Sequence, residues 1–77
     1  MSAASMAFIL FHTSNHAFRA EKLLHEQAID SRLIPAPRHL SSECGVCLRL
    51  EAAHLEMAIG ILNAGKVEIA STYVAAQ

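Results

Sequence analysis

Cys44 is the residue whose setting best suits it to chemistry. Ser41, Ser42 and Glu43 precede it, Gly45 follows, and Arg38 and His39 stand a few positions upstream. Serine hydroxyls and the open backbone of a Ser/Gly segment can donate hydrogen bonds to an anion. Nearby positive charge favours the thiolate, which is the nucleophilic form of cysteine. Glu43 opposes that trend, so the net shift of the thiol stays open. An unreactive cysteine is usually a small buried hydrophobe, and a polar loop ahead of a glycine is an odd place for one. Cys44 therefore reads as a reactive thiol, with Arg38 and His39 favouring its anion and Ser41, Ser42 and Gly45 as loop donors.

Cys44-Gly45-Val46-Cys47 also has the CxxC spacing of redox and metal sites. A thioredoxin-type pair heads a helix, however, whereas Cys47 falls inside a strand pattern. A structural zinc takes four ligands, and there is no second CxxC. His12, His16 or His39 would have to complete the set, which makes Cys44, Cys47, His12 and His16 the weaker metal alternative. Cys47 reads more simply as a strand residue on the open face of a sheet. For His12 and His16 a proton-transfer role is conceivable, but helix capping or plain exposure is the simpler account. His25 and His54 fall on helix surfaces and read as solvated, with Glu21 placed to pair weakly with His25. No GxSxG, Walker-type loop or HExxH is present, so hydrolase, nucleotide and zincin readings gain no support.

The elements that must position these residues follow from periodicity. Met6–Phe11 is a continuous apolar run of strand length. Thr13, Ser14 and Asn15 are N-cap types, and Ala17, Ala20, Leu24 and Ala28 follow at helical spacing, predicting a helix of about fifteen residues. Ser31–Pro35 is a short strand closed by Pro35 and Pro37. Ala36–Gly45 is a polar loop. From Gly45 to Glu51 the chain alternates, with Val46, Leu48 and Leu50 on one face and Cys47, Arg49 and Glu51 on the other. Leu55, Ala58, Ile59 and Leu62 mark a second helix, stopped by Asn63-Ala64-Gly65. Residues 67–72 alternate as a last strand. Residues 1–5 and 74–77 are expected to be tails of a single domain spanning 1–77.

The order βαββαβ predicts an α+β, ferredoxin-like sandwich, with a four-stranded antiparallel sheet and both helices on one face. In that topology the first and second strands run the same way. His12, His16, Arg38, His39, Ser41, Ser42, Glu43, Cys44 and Gly45 then share one sheet edge, with Asp30, Glu51 and Lys66 at the opposite edge. The first strand is apolar on both faces, so the helix-free face calls for a cover, most simply a second copy in a homodimer.

Composition narrows the classes. The chain has 77 residues, 53% of them hydrophobic and 17% charged, which fits one core and rules out a disordered or collagen-like chain. Six basic side chains stand against seven acidic ones for a formal net charge of −1, so no basic footprint points to nucleic acid. The run Met6–Phe11 is far shorter than the ~20 residues that cross a bilayer, and the first residues lack the positive charge of a secretory signal. A cytoplasmic location, with thiols kept reduced, is the expectation.

Several stretches are similar to a small bacterial family, the putative selenium/sulfur carrier protein-like family. They are His16-Ala17 with Ala20-Glu21-Lys22-Leu23-Leu24, then Leu33-Ile34-Pro35-Ala36-Pro37-Arg38, then Ser41-Ser42-Glu43-Cys44-Gly45 leading into Leu48-Arg49. Pro-x-Pro-Arg followed by Ser-Ser-x-Cys-Gly is the most specific part, and the likeness runs from about Ala7 to Tyr73. The resemblance implies that Cys44 is a carrier thiol. It would accept sulfur or selenium from a donor such as a cysteine desulfurase and pass it to an acceptor enzyme. That role makes the chain a carrier or accessory protein rather than a stand-alone enzyme, and it calls for no cofactor and no membrane. Two other classes stay open: a non-catalytic dimeric interaction or ligand-binding module of the same fold, and a metal or redox CxxC protein.

Overall fold

A computed structural model of the chain describes residues 5–36 and 45–76. Its elements follow the predicted order. They are β1 (Ser5–Leu10), α1 (Ser14–Glu26), β2 (Ser31–Pro35), β3 (Val46–Glu51), a 3₁₀ turn (Ala52–His54), α2 (Leu55–Ala64) and β4 (Ser71–Ala76). The strands form one antiparallel sheet in the order β2-β3-β1-β4, and the fold is α+β and ferredoxin-like.

Side-chain alternation sorts the two faces. Ala7, Ile9, Leu48 and Leu50 turn toward the helices and join Ala17, Ala20 and Leu24 of α1 and Ala58 and Leu62 of α2 in the main core. Alanines at the contact positions let both helices lie close to the sheet, so the leucines pack against it. The intervening residues form a second, smaller cluster, in which Leu10 and Cys47 are buried with Phe8, Ile34 and Ala36 packed against them. Part of the helix-free face is thus already buried, toward the end of β1 and the start of β3.

Both helices stop the same way. At the end of α1, Ile29 N–H donates to the Leu24 carbonyl and Ala28 N–H to the His25 carbonyl, with Ala28 at φ 61°. At the end of α2, Val67 N–H donates to Leu62 and Lys66 N–H to Asn63, with Lys66 at φ 61°. Each is a Schellman closure whose left-handed residue is not glycine. Ile29 and Val67, the residues just beyond, are buried beside Leu24 and Leu62 in the core. Ala28, expected on the apolar stripe of α1, is therefore an exposed turn residue, and α1 has 13 residues. Gly65 does not supply the left-handed turn at all. A Cβ there would stand 2.6 Å from Leu23 Cδ1, the far end of a side chain that would have to turn aside.

The last strand also lies elsewhere than expected. β4 pairs with β1 from Ser71 opposite Leu10 to Ala76 opposite Ser5. Residues 67–70 precede it as a loop. β1 ends at Leu10, so only one further bond, Ala70 N–H to the Leu10 carbonyl at 2.8 Å, continues the ladder. The alternation over 67–72 reflects Val67 and Ile69 packing on the core from a loop. Ser5 and Val74–Ala76, expected in tails, are strand residues.

Candidate functional site

The candidate edge is set by register. Leu10 at the end of β1 stands opposite Cys47 near the start of β3 and Ser71 at the start of β4, and Pro35 at the end of β2 stands opposite Val46. The start of α1 and the connection between β2 and β3 therefore meet at one edge, as the topology argument required. Arg38, His39, Ser41, Ser42, Glu43 and Cys44 lie outside the described residues. What is described is the pair of residues that flank them, Ala36 and Gly45. Ala36 N–H donates to the Gly45 carbonyl at 3.1 Å, which ties the two ends together directly beyond the Pro35–Val46 pair. Gly45 sits at φ 77°, where any other residue is strained.

Beside that pair, α1 begins with Thr13 as its N-cap. Thr13 Oγ1 accepts from the His16 backbone N–H at 3.3 Å and shares a 3.0 Å hydrogen bond with His16 Nδ1. The imidazole of His16 is thereby part of the cap, which is the simpler of the two roles expected for it, and His12 is exposed just before it.

Lys66 belongs to this edge as well, contrary to expectation. Because α2 starts after the far end of β3, it must run back toward the start of β4, and the connection 65–70 arrives beside the end of β1. The Arg19 guanidinium, in the second turn of α1, donates to the Gly65 carbonyl at 3.1 Å and ties α1 to the residue just past α2. Counting crossings of the sheet from the element order alone would have placed Lys66 and Glu68 here.

Of the residues named for a metal, only Cys47, His12 and His16 lie among the described ones. Cys47 is fully buried on the helix-free face, whereas His16 is held on α1, in the layer on the other side of the sheet. Among the described residues no group of three potential ligands comes together. Cys47 is the strand residue that its alternation predicted.

At the opposite edge, His25 is exposed as expected but also makes a hydrogen bond, and His54 departs from the solvated reading. His25 Nε2 donates to the Ser31 carbonyl at 3.1 Å, tying α1 to the start of β2 rather than pairing with Glu21. His54 closes the 3₁₀ turn half-buried, and its Nδ1 is buried without a hydrogen-bond partner. Ser31 Oγ is likewise buried and unpartnered. No sequence signal marks either atom, because burial there follows from how the turn packs.

With this geometry in place, comparison with known proteins adds one match. The family model described as "Putative Se/S carrier protein-like" fits residues 6–74. No curated protein and no solved structure matches the chain.

Proposed function

The chain belongs to the putative Se/S carrier protein-like family, and on that premise we propose that Cys44 is the thiol that carries the chalcogen. The supporting observation is the burial of its alternative. The chain has two cysteines, and Cys47 is 0% exposed, so a visiting protein has no route to its sulfur. The transferable atom falls to Cys44, which directly precedes Gly45 in the sequence.

In this reading the Cys44 thiolate attacks the outer sulfur of a persulfide held by a donor such as a cysteine desulfurase. The new S–S bond forms at Cys44 as the donor's S–S bond breaks, and the donor leaves as a thiolate, so no external oxidant or reductant is needed. Arg38 and His39 favour the thiolate and steady the persulfide anion, and Ser41, Ser42 and Gly45 offer donors to it. A second copy covers the helix-free face of the sheet, leaving the loop edge open to donor and acceptor.

The test is mass spectrometry of the protein after incubation with a cysteine desulfurase and cysteine. An adduct of one sulfur atom is expected on the peptide containing Cys44 and is lost in Cys44→Ser. An adduct that persists in Cys44→Ser, or none in the parent chain, overturns the assignment.

A further inference from the structure

On the helix-free face, the register aligns side chains into rows that run across the sheet. One row holds Glu51, Met6 and Ala75, and the next holds Arg32, Arg49, Phe8 and Tyr73. Arg32 and Arg49 stand directly opposite each other on neighbouring strands, an arrangement that costs stability unless an anion answers it. Asp30, at the mouth of β2, and Glu51 supply negative charge in the adjoining row. Yet among the described residues no ion pair joins any of these four side chains. A groove of about 220 Å³ lies across the two rows, lined by Met6, Asp30, Arg32, Arg49 and Glu51 among others. Arg32, Arg49 and Glu51 are exposed, Phe8 is half-buried, and Tyr73 packs against Phe8 with ring centroids 6.2 Å apart.

We propose that this face pairs with the same face of a second copy, about a two-fold axis that runs parallel to the rows and passes between the acidic and the basic one. The inference rests on the dimer named above and fixes its orientation. Such an axis stacks each strand on its own counterpart with direction reversed. It thereby sets Glu51 of each copy over Arg49 of the other and Met6 over Phe8. Both pairs lie on β3 and β1, the central strands, which stay in contact when two twisted sheets pack about 10 Å apart at roughly 30°. An axis through the basic row would stack arginine on arginine, and like charges across an interface oppose association; one along the strands between β3 and β1 would set Arg49 over Phe8 and Glu51 over Met6, leaving both charges unanswered. Charge thus selects one of the ways in which two copies can close.

The contact is small. Four strands about 4.8 Å apart and five or six residues long give a face of roughly 20 by 20 Å. Two such faces bury at most about 800 Å², below the ~1,200 Å² of stable interfaces. The dimer is therefore reversible, dissociating in the micromolar range or above.

Sedimentation equilibrium from tens to hundreds of micromolar tests the proposal. The parent chain is expected to rise from its monomer mass of 8.3 kDa toward twice that value. Arg49→Glu and Glu51→Arg should each weaken association at least about tenfold, with unchanged circular dichroism. The double variant, whose charges are again opposite across the axis, should recover it. A parent that stays monomeric removes the dimer altogether. A dimer indifferent to the single swaps, or a double variant no better than either, removes this orientation while leaving a dimer. The carrier reading is judged separately by the sulfur adduct on Cys44, which none of these substitutions touches.

Discussion

A sulfur carrier and a dithiol redox protein make opposite demands on the two cysteines, and Cys47 is where they part. Its side chain is buried beside Leu10 and Ile34, its neighbours across the sheet. Cys47→Ala is expected to cost about 1–2 kcal/mol of stability, the ordinary penalty of a small buried deletion, and to leave sulfur uptake at Cys44 intact. Denaturant unfolding and the sulfur-adduct measurement together check this. A variant that keeps its stability but loses the adduct would make Cys47 a chemical partner. Strand alternation sufficed to place Cys47, because a period of two leaves each residue one face or the other. The histidines were harder to read. His16 joins the cap through a hydroxyl three residues away, and His25 reaches a carbonyl six residues on. Such contacts depend on rotamers and turn geometry that no periodicity encodes.

At the scale of elements, both helices end on a residue held at φ 61° that is not glycine. Left-handed backbone costs roughly 1–2 kcal/mol for an L-residue, and glycine escapes most of this at the expense of a more flexible unfolded chain. Ala28→Gly and Lys66→Gly are therefore each expected to stabilise the fold by about 0.5–1 kcal/mol. That raises the melting temperature by roughly 2–8 °C per site, and the two gains should add because the turns sit at opposite edges of the sheet. Thermal melts of the single and double variants are the check, and a fall in melting temperature would mean that the side chains contribute more than strain removes. The same two turns explain which boundaries could be read from the sequence. Element types and order followed from hydrophobic spacing, since each helix and strand must bury one face. Ala28 and Gly65 misled because composition favours alanine in helices and glycine at their ends, whereas here the turn falls where Ile29 and Val67 must reach the core. β4 was displaced for a similar reason. Val67 and Ile69 alternate like a strand but lie before the point at which β1 offers a partner.

For the whole molecule, a chain of 77 residues buries only about 60% of its unfolded surface, so its stability is thin and association can add to it measurably. The reversible dimer inferred from the charged rows carries a thermodynamic signature independent of its orientation. When two folded copies bind and the unfolded chains do not, mass action makes folding depend on protein concentration. Each tenfold increase, once the dimer is populated, contributes about 0.7 kcal/mol per chain. In a domain of this size that moves the melting temperature by roughly 3–5 °C. Arg49→Glu should flatten this dependence over the same concentration range, since a chain that stays monomeric unfolds in a unimolecular step. Melts of the parent and of Arg49→Glu at three concentrations, each at low and at high salt, are the measurement. Added salt should shrink the parent's concentration dependence, because exposed charges a few ångströms apart are screened as the Debye length falls from about 10 Å toward 3 Å. A parent melting temperature that does not move with concentration would leave the apolar half of the sheet, around Met6, Phe8 and Tyr73, facing water with no second copy to close it.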